Sequence, residues 1–208
     1  MGRASNTKNG PERPPERLVV GLSGASGVAY GIRLLEALKQ LRIESHLVMT
    51  KPAQMTIAYE TDMTPKQVAA KADHAHGIED IGAPIASGSF KTKGMVIAPC
   101  SVRTMSEIAT GVTTSLLTRA ADVMLKERRP LVLMIRETPL HLGHLRTLVK
   151  LAEMGAVIAP PLPAFYAQPA SLEAMVDQSV GRALDLFGLS WTPVKRWGQD
   201  IGPLKGEV

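Results

Sequence analysis

The chain has 208 residues, of which 45% are hydrophobic, with 24 Lys and Arg against 19 Asp and Glu and a single cysteine. This length suits one α/β domain with short tails, and no segment reaches the roughly 18 uninterrupted apolar residues of a membrane span. One cysteine excludes an internal disulfide framework and favours a reducing, cytoplasmic location, and the few aromatic residues do not alternate with basic ones, so we expect no nucleic-acid ligand.

The two ends of the chain differ in composition from the rest. Residues 1–16 are polar and proline-rich, without the apolar core of a secretory signal, so we predict a disordered tail. We place the folded domain at residues 17–189. Residues 190–208 contain Trp191 and Trp197 and are interpreted as a C-terminal tail with apolar surface for a neighbouring subunit.

Strands and helices alternate along the domain. In the first half we predict strands at 18–22 and 47–49, helices at 28–41, 51–60 and 65–72, and an edge strand in the loop-rich stretch near 78–85. In the second half we predict strands at 94–99 (broken by Pro99), 131–135 and 156–158, and helices after Ser101 and at 113–127, 141–154 and 171–187. This alternation predicts a Rossmann-like, doubly wound parallel sheet in three α/β/α layers, as a single domain.

A glycine-rich turn, GLSGASG at 21–27, joins the first strand to the first helix. Free amides at a helix start favour anions, but serines at positions 23 and 26 depart from the dinucleotide-binding pattern, and the second strand ends in Thr50-Lys51 rather than an acid. The turn is therefore either a plain structural turn or a mononucleotide or phosphate site. We do not expect a dinucleotide.

Cations surround the strand at 131–135, which is apolar enough to be covered on both faces. Arg136 and Glu137 follow it, at the strand end that faces the ligand crevice in such sheets, while Arg119 and Lys126 lie seven residues apart on one face of the preceding helix. The pattern predicts an anion-handling site with one acid. Glu137 is either an ion-pair partner of Arg136 or a proton donor.

Other reactive residue types carry weaker predictions. Cys100 has apolar neighbours, so we interpret it as a small packed residue beside the ligand rather than as a nucleophile. His141 and His144 lie three residues apart without a third ligand, so we expect no zinc site there. Tyr166 and Arg182 are either structural or add a hydroxyl and a cation to the crevice.

Four stretches resemble one family, the flavin prenyltransferases of the UbiX type: VGLSGASGVAYGIRLL, ASGSFKTKGMVIAPCSVRTM, LLTRAADVMLKERRPLVLMIRETPLHLGHL and GAVIAPPLPAFY. The resemblance runs from about residue 17 to 189. It implies an enzyme that joins a dimethylallyl group from dimethylallyl monophosphate to N5 and C6 of reduced FMN, without a metal. The product, prenylated FMN, would serve a UbiD-type decarboxylase, and the enzyme would be a homo-oligomer, typically a dodecamer, with active sites at subunit contacts.

The resemblance also implies roles for particular residues. The predicted FMN contacts are Gly24, Ala25, Ser26, Thr50 (serine in many members), Ser101, Val102, Arg103, Thr104 and Arg136. The predicted prenyl-phosphate contacts are Arg119, Lys126, Tyr166 and Arg182. Ser26 and Glu137 match the proton-handling pair, and Lys126 would act on the departing phosphate.

Two other functions compete with prenyl transfer. One is an FMN-dependent decarboxylase of the cysteine-decarboxylating type, which shares this architecture and releases its flavin unmodified. The other is a non-catalytic flavin carrier subunit. The presence of Ser26, Lys126, Glu137, Tyr166 and Arg182 together favours the prenyltransferase.

Overall fold

The computed structural model describes residues 15–202. The disordered tail predicted for residues 1–16 therefore lies almost wholly outside the described residues, as do the last six residues of the predicted C-terminal tail. Within the described part, no helix is both long and apolar enough to cross a lipid bilayer.

Six parallel strands form one sheet, as the sequence predicted. The strands are β1 (Arg17–Leu22), β2 (Glu44–Met49), β3 (His74–His76), β4 (Met95–Cys100), β5 (Leu131–Ile135) and β6 (Val157–Ile158). Their order is β3-β2-β1-β4-β5-β6, and every neighbouring pair is parallel. The connections change direction between β1 and β4, and a doubly wound sheet binds its ligand outside the strand ends at that point.

Between residues 15 and 202, seven α-helices cover the sheet. They are α1 (Val28–Leu41), α2 (Lys51–Glu60), α3 (Pro65–Ala69), α4 (Val102–Thr110), α5 (Leu116–Lys126), α6 (Leu142–Glu153) and α7 (Leu172–Asp185). Several of these helices have a serine or threonine at the N-cap position, because its side-chain oxygen accepts a hydrogen bond from an amide that has no partner within the helix. Thr50, Ser101 and Ser115 cap α2, α4 and α5 in this way.

The core is divided by the sheet into two layers. Successive residues of a strand point to opposite faces, so Leu18 and Val20 of β1 pack with α1 and α7, whereas Val19 packs with α4 and α5. Every residue of β5 is buried, which confirms the prediction that this strand is covered on both faces. The helices α5 and α7 therefore lie on opposite sides of the sheet.

The edge strand is the main correction to the predicted elements. It lies at His74–His76, not at 78–85, where the chain forms turns and a short 3-10 helix at Pro84–Ala86. Two histidines in three residues do not resemble a strand, and only backbone pairing with β2 makes them one. In contrast, Pro99 interrupts β4 less than expected, since the strand continues to Cys100 with a shift in register beside β5.

The chain beyond residue 189 packs onto its own domain. Trp191 is 4% exposed, and its indole Nε1 donates a hydrogen bond to Gln40 Oε1 at 2.8 Å. Val194 fills the space above Gly181 of α7. For Trp191 this packing is therefore within the subunit rather than on a neighbour, whereas Trp197 is 66% exposed.

Candidate active site

A cleft of ≈ 400 Å³ lies where the strand connections change direction, at the carboxyl ends of β1, β2 and β4. Six of the predicted FMN residues line it, namely Gly24, Thr50, Ser101, Val102, Arg103 and Thr104. Residues separated by up to eighty positions in the sequence meet here, because the carboxyl ends of parallel strands share one edge of the sheet.

The turn after β1 is held to β4 by a buried serine. Ser23 is fully buried, its hydroxyl donates to the Pro99 carbonyl at 3.0 Å, and its oxygen accepts from the Ser101 amide at 2.7 Å. A Cβ on Gly24 would lie 2.3 Å from Cβ of Pro52, so a larger residue does not fit. The serine at position 23, which departs from the dinucleotide pattern, thus links the two strands at the floor of the cleft.

The start of α1 is occupied by a carboxylate of the same chain. Glu60, at the end of α2, accepts hydrogen bonds from the amides of Gly27 at 2.8 Å and Val28 at 3.0 Å. The backbone amides at the start of α1, which the sequence suggested for an anionic ligand, are therefore already hydrogen-bonded to Glu60. Glu60 also lies beside the turn that contains Ser26. Sequence reasoning missed it, because a distant acid with no motif around it becomes a neighbour only through folding.

Three other helices begin at the cleft: α2, α4 and α5. Thr50 accepts from the Ala53 amide at 3.1 Å, and Ser101 accepts from the Thr104 amide at 3.3 Å. Helix starts carry partial positive charge and unpaired amides, so they favour an anion. Lys51 and Arg103 add positive charges to the lining, each paired with a carboxylate that also lines it, Glu79 at 3.1 Å and Glu107 at 2.9 Å. This side of the cleft suits a phosphate group.

Arg136 and Glu137 extend the same edge of the sheet. The Arg136 amide donates to the Cys100 carbonyl at 3.0 Å, which places both residues just beyond the cleft floor. Both side chains are exposed, and Glu137 forms no salt bridge with any residue from 15 to 202. Burial raises the pKa of Tyr30 on α1, and the charge of Arg136 opposes that rise, so Arg136 lies near α1. The geometry thus offers no support for a simple Arg136–Glu137 ion pair.

Arg119 and Lys126, the two predicted phosphate-binding cations of α5, have different hydrogen-bond and ion-pair partners. Arg119, on the first turns of the helix, donates to the Ala86 carbonyl at 3.2 Å and pairs with Asp122 at 2.7 Å. Lys126 ends the helix and pairs with Glu127 at 2.5 Å. Because α5 leads into the start of β5, Lys126 lies near the amino end of this strand, whereas Arg136 follows its carboxyl end, and the five residues between span about 17 Å.

The other two predicted prenyl-phosphate residues lie together on the α7 side. The Tyr166 hydroxyl lies 3.4 Å from Gln178 Nε2, one turn before Arg182, and the Tyr166 ring meets Trp197 edge-on at 5.9 Å. Arg182 lines a second cleft of ≈ 220 Å³ with Met134 of β5. Tyr166 and Arg182 are thus separated from Lys126 by the sheet, and one subunit does not bring the predicted set together.

Cys100 lies at the end of β4 with no exposed surface. Burial raises the pKa of its thiol far above its ordinary value, so the thiol stays neutral. A neutral, inaccessible thiol is a poor nucleophile, which agrees with its interpretation as a packed residue.

The chain is similar in sequence and in structure to known flavoproteins. A family model described as Flavoprotein matches residues 6–184. The flavin prenyltransferase UbiX of Escherichia coli (strain K12) is 57% identical over 176 residues, which cover 84% of this chain and 93% of that protein. The crystal structure of AnUbiX (PadA1) in complex with FMN and dimethylallyl pyrophosphate is 51% identical, with a TM-score of 0.87 over 88% of this chain and 98% of the other. A dodecameric FMN-dependent UbiX-like decarboxylase from Escherichia coli O157:H7 is 46% identical, with a TM-score of 0.85 over 87% and 98% of the two chains.

Proposed function

This chain belongs to the UbiX-type flavin prenyltransferases, and we propose that it joins a dimethylallyl group from dimethylallyl monophosphate to N5 and C6 of reduced FMN. The product, prenylated FMN, would pass to a UbiD-type decarboxylase. The cleft at the carboxyl ends of β1, β2 and β4 carries this proposal, because residues predicted from the family to contact FMN line a single site there. We also propose that the enzyme acts in the cytoplasm, as its single cysteine favours.

The cleft fits FMN in size and in chemistry. Its ≈ 400 Å³ lies within the usual range for small-molecule sites. We place the FMN phosphate at the starts of α2, α4 and α5, since the amides of α1 are occupied by Glu60. Gly24 lines the cleft where Pro52 packs against it, and Arg136 is available to the flavin ring system at the neighbouring strand end.

The prenyl-phosphate site is proposed to form between subunits. Lys126 lies on one face of the sheet, and Tyr166 and Arg182 lie on the other. A site that contains all three therefore needs more than one copy of the chain. A dodecamer, as named for one of the similar structures, provides such contacts through symmetric interfaces.

In the proposed mechanism, reduced FMN supplies the nucleophilic ring, and the protein controls charge and protons. Lys126, Arg182 and Tyr166 stabilise negative charge on the departing phosphate, an effect worth about 3 kcal/mol for a well-placed donor. Glu137 donates a proton to the leaving group. Ser26 helps to move the proton at flavin N5.

A direct assay tests this function. The protein is incubated anaerobically with reduced FMN and dimethylallyl monophosphate, and the extracted flavin is analysed by mass spectrometry. The proposal expects a mass gain of one C5H8 unit, with release of inorganic phosphate. FMN recovered unmodified, under conditions where binding is demonstrated, would contradict it.

Decarboxylation is the second candidate, because one similar structure is described as an FMN-dependent decarboxylase. The same preparation is supplied with oxidised FMN and either cysteine-terminated peptides or aromatic acids. Carbon dioxide release with recovery of unmodified FMN would favour this alternative. Flavin binding without either reaction would favour a carrier subunit.

A further inference from the structure

A group of histidines lies at the edge of the sheet remote from the cleft. Glu44 and His46 alternate along β2, and His74 and His76 alternate along β3. Alternate residues of a strand share a face, and His46 is the register partner of His74. The pleat therefore places all four side chains on one surface of two neighbouring strands. We call this group the edge histidine cluster.

The polar atoms of three members converge. Glu44 Oε1 lies 2.9 Å from His46 Nε2 and 3.6 Å from His74 Nε2, and the three atoms all lie within 4.8 Å of one another. In a tetrahedral zinc site, with bonds of about 2.0 Å, neighbouring ligand atoms are about 3.3 Å apart. The His74 ring stacks on the His46 ring with centroids 4.7 Å apart, so this 54% exposed side chain must turn out of the stack to aim its nitrogen at the same ion.

The remaining contacts orient the two inner ligands. His46 is 3% exposed, its Nδ1 lies 3.0 Å from His76 Nε2, and the ring of Phe90 packs against it edge-on at 5.1 Å. Glu44 is held by Arg17 Nε at 2.8 Å. A histidine that ligates a metal almost always bonds through its other ring nitrogen, which fixes the ring orientation. His46 already has such a bond.

The cluster is also reachable from solvent. A cleft of ≈ 360 Å³ is lined by Glu44, Asp73 and His74, with Lys39 and Arg42 on its wall. The Asp73 carboxylate accepts hydrogen bonds from the amide and hydroxyl of Ser45, both at 2.8 Å, beside the cluster. Two carboxylate residues, Glu44 and Asp73, therefore line this cleft together with the two cations.

We propose that Glu44, His46 and His74 form a binding site for one divalent transition-metal ion of the zinc type. Two imidazoles and one carboxylate suit zinc, cobalt or nickel rather than magnesium or calcium, which prefer all-oxygen sites. Three protein ligands leave a fourth position for water. The site lies at the amino ends of β2 and β3, away from the flavin cleft, so its role is to fasten the three-residue edge strand to the sheet.

Cobalt binding tests the proposal, because tetrahedral Co²⁺ has visible absorption that reports its ligands. The full chain is first dialysed against chelator and then titrated with Co²⁺, and Zn²⁺ is used to displace it. One equivalent per chain with tetrahedral bands is expected. His74→Ala is the main variant, since this exposed side chain can be removed without opening the core. It should weaken binding at least tenfold.

The chain contains five histidines, and the two outside the cluster provide the matched control. His141 and His144 stack at 3.6 Å at the start of α6. The double variant His141→Asn/His144→Asn should bind Co²⁺ as the parent does. A second readout is thermal unfolding, in which Zn²⁺ should raise the Tm of the parent and of this control, but not of His74→Ala.

Three results would overturn the site. They are absence of stoichiometric binding by the parent, equal affinity in His74→Ala, or loss of binding in the His141 and His144 double variant. In each case the edge histidine cluster would be a metal-free hydrogen-bond network. None of these results bears on prenyl transfer, because the proposed site takes no part in that reaction.

Discussion

The two halves of the candidate active site differ in what a single subunit completes. The FMN half consists of residues at one edge of one sheet, and residues such as Gly24, Thr50 and Ser101 line one cleft. The prenyl-phosphate half is divided, with Lys126 on one face of the sheet and Tyr166 and Arg182 on the other. We therefore expect most of the flavin contacts to come from one subunit, whereas prenyl transfer should require the assembly.

The largest effect is expected from Lys126→Ala. Loss of this cation should lower kcat/KM for dimethylallyl monophosphate by about 100-fold or more, because it removes stabilisation of the departing phosphate. FMN affinity, measured by flavin fluorescence, should be unchanged. Lys66→Ala, on the exposed face of α3, is the charge-matched control. Loss of FMN binding in Lys126→Ala would show that Lys126 belongs to the FMN half of the site rather than to the prenyl-phosphate half.

Mixed oligomers test whether the prenyl half is shared between subunits. Lys126→Ala and Arg182→Ala are each expected to have strongly reduced activity alone. When the two are co-expressed, about a quarter of the sites should combine an intact Lys126 from one subunit with an intact Arg182 from another, if assembly is random. Turnover by the purified mixture measures this recovery. No recovery in oligomers shown by mass spectrometry to be mixed would mean that each site is formed by one subunit.

Glu137→Gln should produce the next largest effect. The amide keeps the shape of the side chain but cannot donate a proton in the same way, so prenyl transfer should slow by about 100-fold. FMN affinity should remain unchanged, since Glu137 forms no salt bridge with the flavin-side residues among 15–202. Glu153→Gln, at the exposed end of α6, is the control. Single-turnover rates measure the change, and wild-type turnover would remove Glu137 from the mechanism.

Gly24→Ala should damage the FMN half alone. The added Cβ would lie 2.3 Å from Cβ of Pro52, and overpacking of this kind costs about 1–3 kcal/mol. We expect weaker FMN binding and a lower urea midpoint, with prenyl transfer recovered at saturating FMN. Gly202→Ala has nothing within 4 Å of the added atom and is the control. Unchanged FMN affinity would show that the turn yields without affecting the cleft.

Arg103→Ala should give the smallest effect. Its side chain is 78% exposed and already paired with Glu107 at 2.9 Å, so its interaction with the FMN phosphate is screened by water. We expect a loss of FMN affinity of up to about tenfold, or 1.4 kcal/mol, that diminishes further with added salt. The KM for dimethylallyl monophosphate should not change. A change confined to that KM would reverse the assignment of Arg103.

Most strands and helices could be predicted from the sequence, and the edge strand was misplaced because its own residues do not indicate a strand. The apolar residues of β1 and β5 and the spacing in α1 identify buried elements directly. The strand His74–His76 was placed at 78–85 instead, because its side chains are polar and only pairing with β2 defines it. For the same reason, the sequence did not indicate that Glu44, His46, His74 and His76 share one face, because that depends on the pairing of β2 with β3.

The residues of the candidate site likewise divide into those that local sequence identifies and those that only folding brings to the site. The family resemblance assigned the glycine turn and the residues after β4 to FMN, and several of them line one cleft because parallel strands end at a common edge. The carboxylate of Glu60 was missed, since nothing local marks it as the partner of the α1 amides. The separation of Lys126 from Arg182 was equally invisible, because sequence spacing does not tell which face of a sheet a later helix will cover.

Periodicity, turn chemistry and long matching stretches are local properties of the chain, so the fold class, the flavin family and the residue types proposed for the site could be predicted from them. Which helix starts are free for a phosphate, and which side chains share a face, became visible only in the folded chain. It also showed that Lys126 and Arg182 lie on opposite sides of the sheet. Those are relations between distant segments, and packing of both faces of one parallel sheet is what sets them.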